Sequence, residues 1–195
     1  MRVNVVVLCC VSLLATPISQ SKVSVVDVDE LIRSTDQIVI ATVTQVVDSK
    51  VGSFPVKYAT ATVHKTLKGR SLPNIRFIVV PGNDHFMDSA DEAIMGEFVL
   101  LFLYKQGDDD FGIKLAGRGR MPLRKVGATT YATLWNDVVL PANAPVIPGP
   151  DGRYSFIISV ELAYLERRVA LQAKECSIVR PNYRIERTRE SSSAK

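Results

Sequence analysis

The chain has 195 residues, of which 47% are hydrophobic and 23% are charged, and its formal net charge is +4 at pH 7. A chain of this length is long enough to bury one sizeable core as a single domain. The positive excess is too small to indicate nucleic acid as a partner.

The first element in chain order is an export signal. Arg2 precedes an apolar run over 3–15, and small polar residues follow, with Ser19 and Ser21 at the positions before a cleavage site. This is the order of a secretory signal peptide. The run is shorter than the roughly 20 residues of a membrane-crossing helix. We therefore predict a signal peptide over 1–21, a periplasmic or secreted protein, and no transmembrane helix after cleavage.

Cysteine usage sets how the mature domain must be stabilised. Removal of the signal would leave Cys176 as the only thiol, so no intramolecular disulfide is possible. Small secreted domains usually depend on disulfides, and this one must depend on its core instead. A disulfide-linked dimer through Cys176 in an oxidising compartment stays open as an alternative.

Short strands between two helices make up the rest of the pattern. Val28, Leu31 and Ile32 have helical spacing and predict a short N-terminal helix. Alternating, β-branched segments bounded by turn residues then predict strands. The five predicted strands are QIVIATVTQVV (37–47), VKYATATVHKTL (56–67), IRFIVVPG (75–82), GEFVLLFLYK (96–105) and FGIKLAGRG (111–119).

Five strands at regular spacing, without long intervening helices, predict a mainly β fold. We expect a small closed five-stranded antiparallel barrel. Residues 126–154 are predicted as an irregular excursion, because proline and glycine are frequent toward their end, and RYSFII (153–158) as an edge strand.

The last predicted element is a C-terminal amphipathic helix over SVELAYLERRVALQAK (159–174). We expect Ser159 to be its N-cap and Glu161 to lie in its first turn. The domain organisation is then a signal peptide, a single domain over 22–175, and a charged flexible tail over 176–195.

The order of these motifs resembles a secreted bacterial domain of unknown function. In that domain an acidic residue precedes a V-V-x-G-x-V strand, a strand ends in L-K-G, as at 67–69, and a G-E-x-V-L-L-F-L strand follows a variable loop, as at 96–103. The same order is similar to the OB-fold barrel of netrin-like and metalloprotease-inhibitor domains, and the likeness covers roughly 28–120. It implies an OB-like barrel. Ala41 stands where the pattern has Gly, and the mature chain lacks the N-terminal Cys through which the inhibitors act, so inhibition by that mechanism is not carried over.

For function, the sequence favours a non-enzymatic binding module that recognises a protein or glycan partner through loops 82–95, 106–111 and 126–153. Loops on a rigid scaffold commonly carry function. No catalytic residue, metal site or cofactor is predicted. No nucleic-acid partner is predicted either, because the basic residues over 114–125 have no aromatic residues interleaved with them. The candidate binding residues are Asp84, His85, Asp88, Asp108, Asp109, Asp110 and Trp135.

Two alternatives stay open. An oligosaccharide- or nucleic-acid-binding OB barrel requires exposed aromatic side chains on the second and third strands, where Tyr58 and Phe77 occur. A metal-dependent hydrolase using His64 and His85 requires both imidazole rings within reach of one ion. The two histidines lack H-E-x-x-H spacing, and the acidic run at 108–110 lacks the alternating spacing of a calcium loop.

Overall fold

The computed structural model describes residues 25–79, 93–107, 110–115, 118–135, 138–150 and 157–178. The signal peptide predicted over 1–21 lies outside these residues, as do 179–195 of the predicted tail. Strands dominate the described residues, which contain two helices, so the predicted mainly β class is confirmed.

The elements follow one another closely along the chain. In order they are β1 (Val26–Asp27), α1 (Val28–Ser34), β2 (Gln37–Val51), β3 (Phe54–Lys68), β4 (Asn74–Val79), β5 (Phe98–Lys105), β6 (Asp110–Ile113), β7 (Arg120–Val126), β8 (Thr129–Trp135), β9 (Val138–Val139), β10 (Val146–Pro148), β11 (Ile157–Glu161) and α2 (Leu162–Ile178).

Nine of these strands form one sheet, in the order β10-β11-β8-β7-β5-β2-β3-β4-β6, while β1 and β9 form a separate parallel pair. An additional pairing between β5 and β6 connects the sheet to itself. Five strands are therefore paired in a closed cycle, in the order β2, β3, β4, β6 and β5. We call this set of strands the ring. Its pairings are antiparallel except for β4 with β6. Strands β7, β8, β11 and β10 extend from β5, and we call them the wing.

The predicted count of five strands is wrong for this sheet, because the wing adds four strands from the segment after residue 119. The expected irregular excursion over 126–154 contains β8, which forms a hairpin with β7. Gly127 closes that hairpin with φ of 61°, a left-handed conformation that glycine adopts without steric cost. The strand predicted at 153–158 is β11 at Ile157–Glu161, and it lies between β8 and β10 rather than at an edge.

Strand β5 joins the ring to the wing. One of its edges pairs with β2, and its other edge is divided between β7, at Val99–Leu101, and β6, at Leu103–Lys105. Its side chains alternate between two hydrophobic cores. Val99, Leu101 and Leu103 belong to one core, and Leu100 and Phe102 belong to the other. Both faces of this apolar strand therefore contact protein.

We call the first of these cores the ring core and the second the outer core. The ring core consists of alternate residues of β2, β3, β4 and β5, together with Ile113 of β6. The outer core combines the opposite faces of β2 and β5 with α1, α2 and the wing. Phe77 is the largest fully buried side chain of the ring core, and Phe102 is that of the outer core.

The C-terminal helix forms, but its predicted start is wrong. Ser159 and Glu161 lie in β11, and α2 begins directly afterwards at Leu162. The Ser159 hydroxyl is within hydrogen-bond distance of Arg124 and Thr133, so it is held within the wing and cannot cap a helix. None of the helices in the described part of the chain is long and apolar enough to span a bilayer.

Polar contacts attach both helices to the ring and to each other. The Asp27 carboxylate accepts from the Asp29 amide at 2.7 Å and caps α1, while the Lys68 ammonium donates to carbonyls at the end of that helix. Arg168 of α2 donates to the Asp29 carboxylate. This hydrogen bond raises the pKa of Arg168 above its ordinary value.

Candidate functional site

Two of the seven predicted binding residues, Asp110 and Trp135, lie among the residues that the structure describes. Asp84, His85 and Asp88 lie outside the described residues, and so do Asp108 and Asp109. Asp110 belongs to β6 in the ring, whereas Trp135 belongs to β8 in the wing, where it pairs with Ile157. The two described members therefore occupy different parts of the sheet.

A cleft at one end of the ring brings together polar and apolar side chains from six segments. These segments are the start of β2, β3, the β3–β4 turn, the start of β4, the end of β5 and β6. The cleft has a volume of about 570 Å³, within the range of small-molecule sites, roughly 300–1,000 Å³. We call it the basic cleft. Its lining residues are Asp36, Gln37, Thr60, Arg70, Leu72, Asn74, Ile75, Arg76, Lys105 and Phe111.

The buried side chain of Gln37 holds the β3–β4 turn against the ring. Its Nε2 donates to the Arg70 carbonyl at 2.7 Å, and its Oε1 accepts from the Arg70 amide at 2.9 Å. Gly69 precedes Arg70 with φ of 91°, and a side chain at this position would collide with Gln37. The close approach of the turn therefore requires glycine, and the two bonds fix the backbone from which Arg70 projects.

The neighbouring residue, Asp36, performs the same task for the end of β5. Its amide donates to the Leu103 carbonyl at 3.0 Å, and its Oδ2 accepts from the Lys105 amide at 2.8 Å. Two adjacent residues thus position the backbone of two exposed cationic residues on the rim of the basic cleft. Among the described residues, neither Arg70 nor Lys105 forms an ion pair through its side chain.

The third cation of the basic cleft has partners within the ring. Arg76 donates through Nε and Nη2 to the two carboxylate oxygens of Asp110, at 2.6 and 3.0 Å. Its guanidinium also lies over the Tyr58 ring, 4.6 Å from the centroid. The hydrogen bond from Arg76 and its positive charge hold the pKa of Asp110 below its ordinary value. Asp110 is therefore a structural partner of a cleft residue.

Apolar side chains complete the lining. Ile75 is buried, and Leu72 and Phe111 are half-buried. Phe111 also packs against the ring core, so it connects the cleft with the interior of the ring. The cleft thus combines an apolar surface with two cationic residues on its rim, Arg70 and Lys105, whose backbone is held by hydrogen bonds. This arrangement can orient a ligand that has one charged end.

Of the two histidines, the structure describes His64, which contacts neighbouring side chains of the sheet. Its Nε2 is 2.8 Å from the Thr42 hydroxyl, and its ring contacts Phe98 edge-on at a centroid distance of 5.7 Å. His85 lies outside the described residues, so the two-histidine hydrolase stays a prediction. Within the described residues, no group of three histidine, cysteine, aspartate or glutamate side chains could hold a metal ion.

The aromatic residues invoked for an oligosaccharide- or nucleic-acid-binding surface have other contacts. Phe77 is fully buried in the ring core, and the Tyr58 ring is covered by Arg76. In the wing, the Arg118 guanidinium lies 5.8 Å from the centre of the Trp135 ring. The described parts of β3 and β4 therefore carry no stacked pair of exposed aromatic rings.

Two residues of the basic stretch are structural. Arg120 donates to both carboxylate oxygens of Glu97, at 2.7 and 2.8 Å, and the pair is largely buried. Arg124 donates to the Pro148 carbonyl and to the Ser159 hydroxyl. Both arginines thus hold the wing together or attach it to the ring.

The residues on which the basic cleft depends were missed by reasoning from the sequence. Gln37 and Lys105 are the first and last residues of two predicted strands, and Arg70 lies in the turn predicted after the second strand. The L-K-G turn was a visible signal for the position of Arg70, but its proximity to Lys105 follows from the pairing of β2 with β5. That register connects Gln37 to Leu103 and is not local in the sequence.

No protein-family model matches this sequence, and a comparison with curated proteins finds no match either. The resemblance to OB-fold domains therefore depends on the order of the motifs and on the strand pairing. The functional conclusion depends on the geometry of the basic cleft.

Proposed function

We propose that this protein is an exported, non-enzymatic binding module that recognises a protein or glycan partner on an OB-like barrel. The observation that carries the proposal is the basic cleft, because hydrogen bonds from Gln37 and Asp36 hold the backbone from which its rim cations project. A backbone that is held before binding loses little conformational entropy when a ligand enters the cleft.

The pairing of the ring supports an OB-like barrel. Its five strands, β2 to β6, are numbered one to five here in chain order. The pairs are one with two, two with three, three with five, five with four, and four with one. The OB-fold is a five-stranded Greek-key barrel whose second and third strands and adjoining loops bind ligands. In the ring these strands are β3 and β4, and both contribute residues to the basic cleft.

The composition of the cleft supports binding rather than catalysis. Its ionisable residues are three cations and Asp36, and neither histidine nor cysteine is among its lining residues. Histidine and carboxylates are common general bases, and the one carboxylate of the lining, Asp36, accepts a hydrogen bond from the Lys105 amide. Arg70 and Lys105 instead offer donors to an acceptor group of a partner.

A crosslinking pull-down tests the proposal, with the purified protein as bait in the envelope and secreted fractions of its source organism. The cleft variant is Arg70→Gln/Lys105→Gln, which keeps the backbone bonds of both positions. The matched control is Lys50→Gln/Lys125→Gln, which removes the same charge from exposed positions on β2 and β7. Thermal unfolding of all three proteins checks that they are equally folded.

We expect the wild-type protein and the control to capture the same partner and the cleft variant to lose it. Capture that is equal for all three proteins would show that the partner binds elsewhere. If no partner is captured above background, the proposal of a protein-binding module fails, and glycan arrays with the same three proteins test the remaining part.

A further inference from the structure

The charges around the basic cleft nearly balance, and this limits the charge of its ligand. The lining contains Arg70, Arg76 and Lys105 against one carboxylate, Asp36. Asp110 lies beside the lining and forms a bidentate ion pair with Arg76. These described residues together have a net charge of +1, which matches a single negative charge better than a polyanion.

The two rim cations suit a carboxylate. A guanidinium such as that of Arg70 presents parallel donors that match the two oxygens of a carboxylate, and the ammonium of Lys105 adds a compact charge. Both side chains are exposed and their backbones are held by Gln37 and Asp36. A carboxylate at this rim would not have to displace an ion pair with a described residue.

The remaining lining residues suit an apolar body. Leu72, Ile75 and Phe111 supply hydrophobic surface next to the rim. A ligand that covers this surface removes it from water, and each square ångström contributes about 25 cal/mol.

We propose that the basic cleft binds a carboxylic acid with an apolar body, the carboxylate on Arg70 and Lys105 and the body against Leu72, Ile75 and Phe111. This inference rests on the proposed function in that it names the ligand chemistry of the same cleft. The apolar C-terminal residue of a protein partner presents these groups and would deepen the proposed function. A free organic acid presents the same groups and would replace the protein or glycan partner of that proposal.

Isothermal titration calorimetry with four probes tests the inference and separates the two sources. Octanoate represents the free acid, and octanamide is its neutral match. The peptide acetyl-Gly-Gly-Leu-Phe with a free C-terminus represents a protein terminus, and the same peptide with an amidated C-terminus is its neutral match. Each probe is titrated into the wild-type protein, the Arg70→Gln/Lys105→Gln variant and the Lys50→Gln/Lys125→Gln control.

We expect at least one of the acids to bind with a Kd below about 1 mM. Its neutral match should bind about tenfold more weakly or worse, because a hydrogen bond to a charged group is lost. The cleft variant should show the same loss and the control should not. Binding of octanoate alone identifies a free acid, and binding of the peptide alone identifies a protein terminus.

Three results would overturn the inference. These are the absence of binding by both acids, equal affinity for an acid and its amide, and an equal loss of affinity in the control variant. The comparison of acid with amide uses the wild-type protein, so it decides the question even if the cleft variant is unstable. If both acids fail while the cleft variant still loses its partner in the pull-down, the ligand chemistry is wrong and the binding module stands.

Discussion

The two cores on either side of β5 are assembled in different ways. The ring core contains alternate residues of strands that follow one another between Val39 and Ile113. The outer core combines α1, near the start of the described chain, with the wing and α2, near its end. The ring can therefore bury its interior with its own strands, whereas the outer face of the ring is buried only when distant segments have folded onto it.

Truncation of the largest side chain in each core should have the largest effect on stability. Phe77→Ala in the ring core and Phe102→Ala in the outer core should each lower the free energy of unfolding by about 3–5 kcal/mol. Both residues are fully buried. Urea denaturation followed by circular dichroism measures the loss.

Leu100→Ala and Leu101→Ala are a matched pair for the same question, since the two residues are fully buried neighbours on opposite faces of β5. We expect a single transition in every variant, because β5 belongs to both cores. Two separate transitions in the outer-core variants would show that the ring unfolds independently of the wing and helices.

The buried ion pair between Glu97 and Arg120 connects the residue before β5 with the start of β7. The exposed fractions of the two side chains are 13% and 5%. Glu97→Gln should lower the free energy of unfolding by about 3 kcal/mol, because it leaves a buried guanidinium without its carboxylate. Thermal and urea denaturation measure this loss, and an unchanged stability would mean that the ring and the wing do not depend on this contact.

The pair between Lys65 of β3 and Glu166 of α2 is the exposed counterpart. The exposed fractions of these side chains are 56% and 27%, and the two atoms are 3.0 Å apart. Lys65→Met should change the free energy of unfolding by less than about 1 kcal/mol, because solvent screens an exposed pair. A loss as large as that of Glu97→Gln would show that α2 is held on the ring by charge rather than by the outer core.

The smallest effect concerns the acid stability of the ring. The pKa of Asp110 is lowered in the folded protein by its hydrogen bond from Arg76, so the unfolded chain binds the proton more readily. The resulting stabilisation is present above the ordinary value of 3.8 and is lost as the pH falls below it. Asp110→Asn should therefore flatten the acid limb of the stability profile. A wild-type acid limb that Asp110→Asn leaves unchanged would contradict this role.

The sequence predicted the ring better than the wing, and the reason is periodicity. The alternation in β2 to β5 specifies which face is buried, as at Val99, Leu101 and Leu103. In the wing, the prolines and glycines after Leu140 obscured the alternating residues of β8. Serine is a common N-cap residue, but the Ser159 hydroxyl forms its hydrogen bonds within the sheet, with Arg124 and Thr133. Tertiary hydrogen bonds decided its role.

The basic cleft was less predictable than the fold, because its residues meet only through the pairing of distant strands. Arg70 and Lys105 are 35 positions apart, and each is held by one of two neighbours, Gln37 and Asp36. A turn motif and the end of a strand were visible in the sequence. Their convergence at one end of the ring required the register of β2 with β5.

The most direct test of the central claim, that a partner binds at the basic cleft, is a photo-crosslinking comparison of the two ends of the ring. Benzoylphenylalanine replaces Leu72 in the cleft or Phe98 at the start of β5. Phe98 is 40% exposed and lies about 23 Å along β5 from Lys105. Both proteins are irradiated in the envelope and secreted fractions of the source organism. Our account predicts a specific crosslink from position 72 and none from position 98. A crosslink from position 98 alone would contradict it.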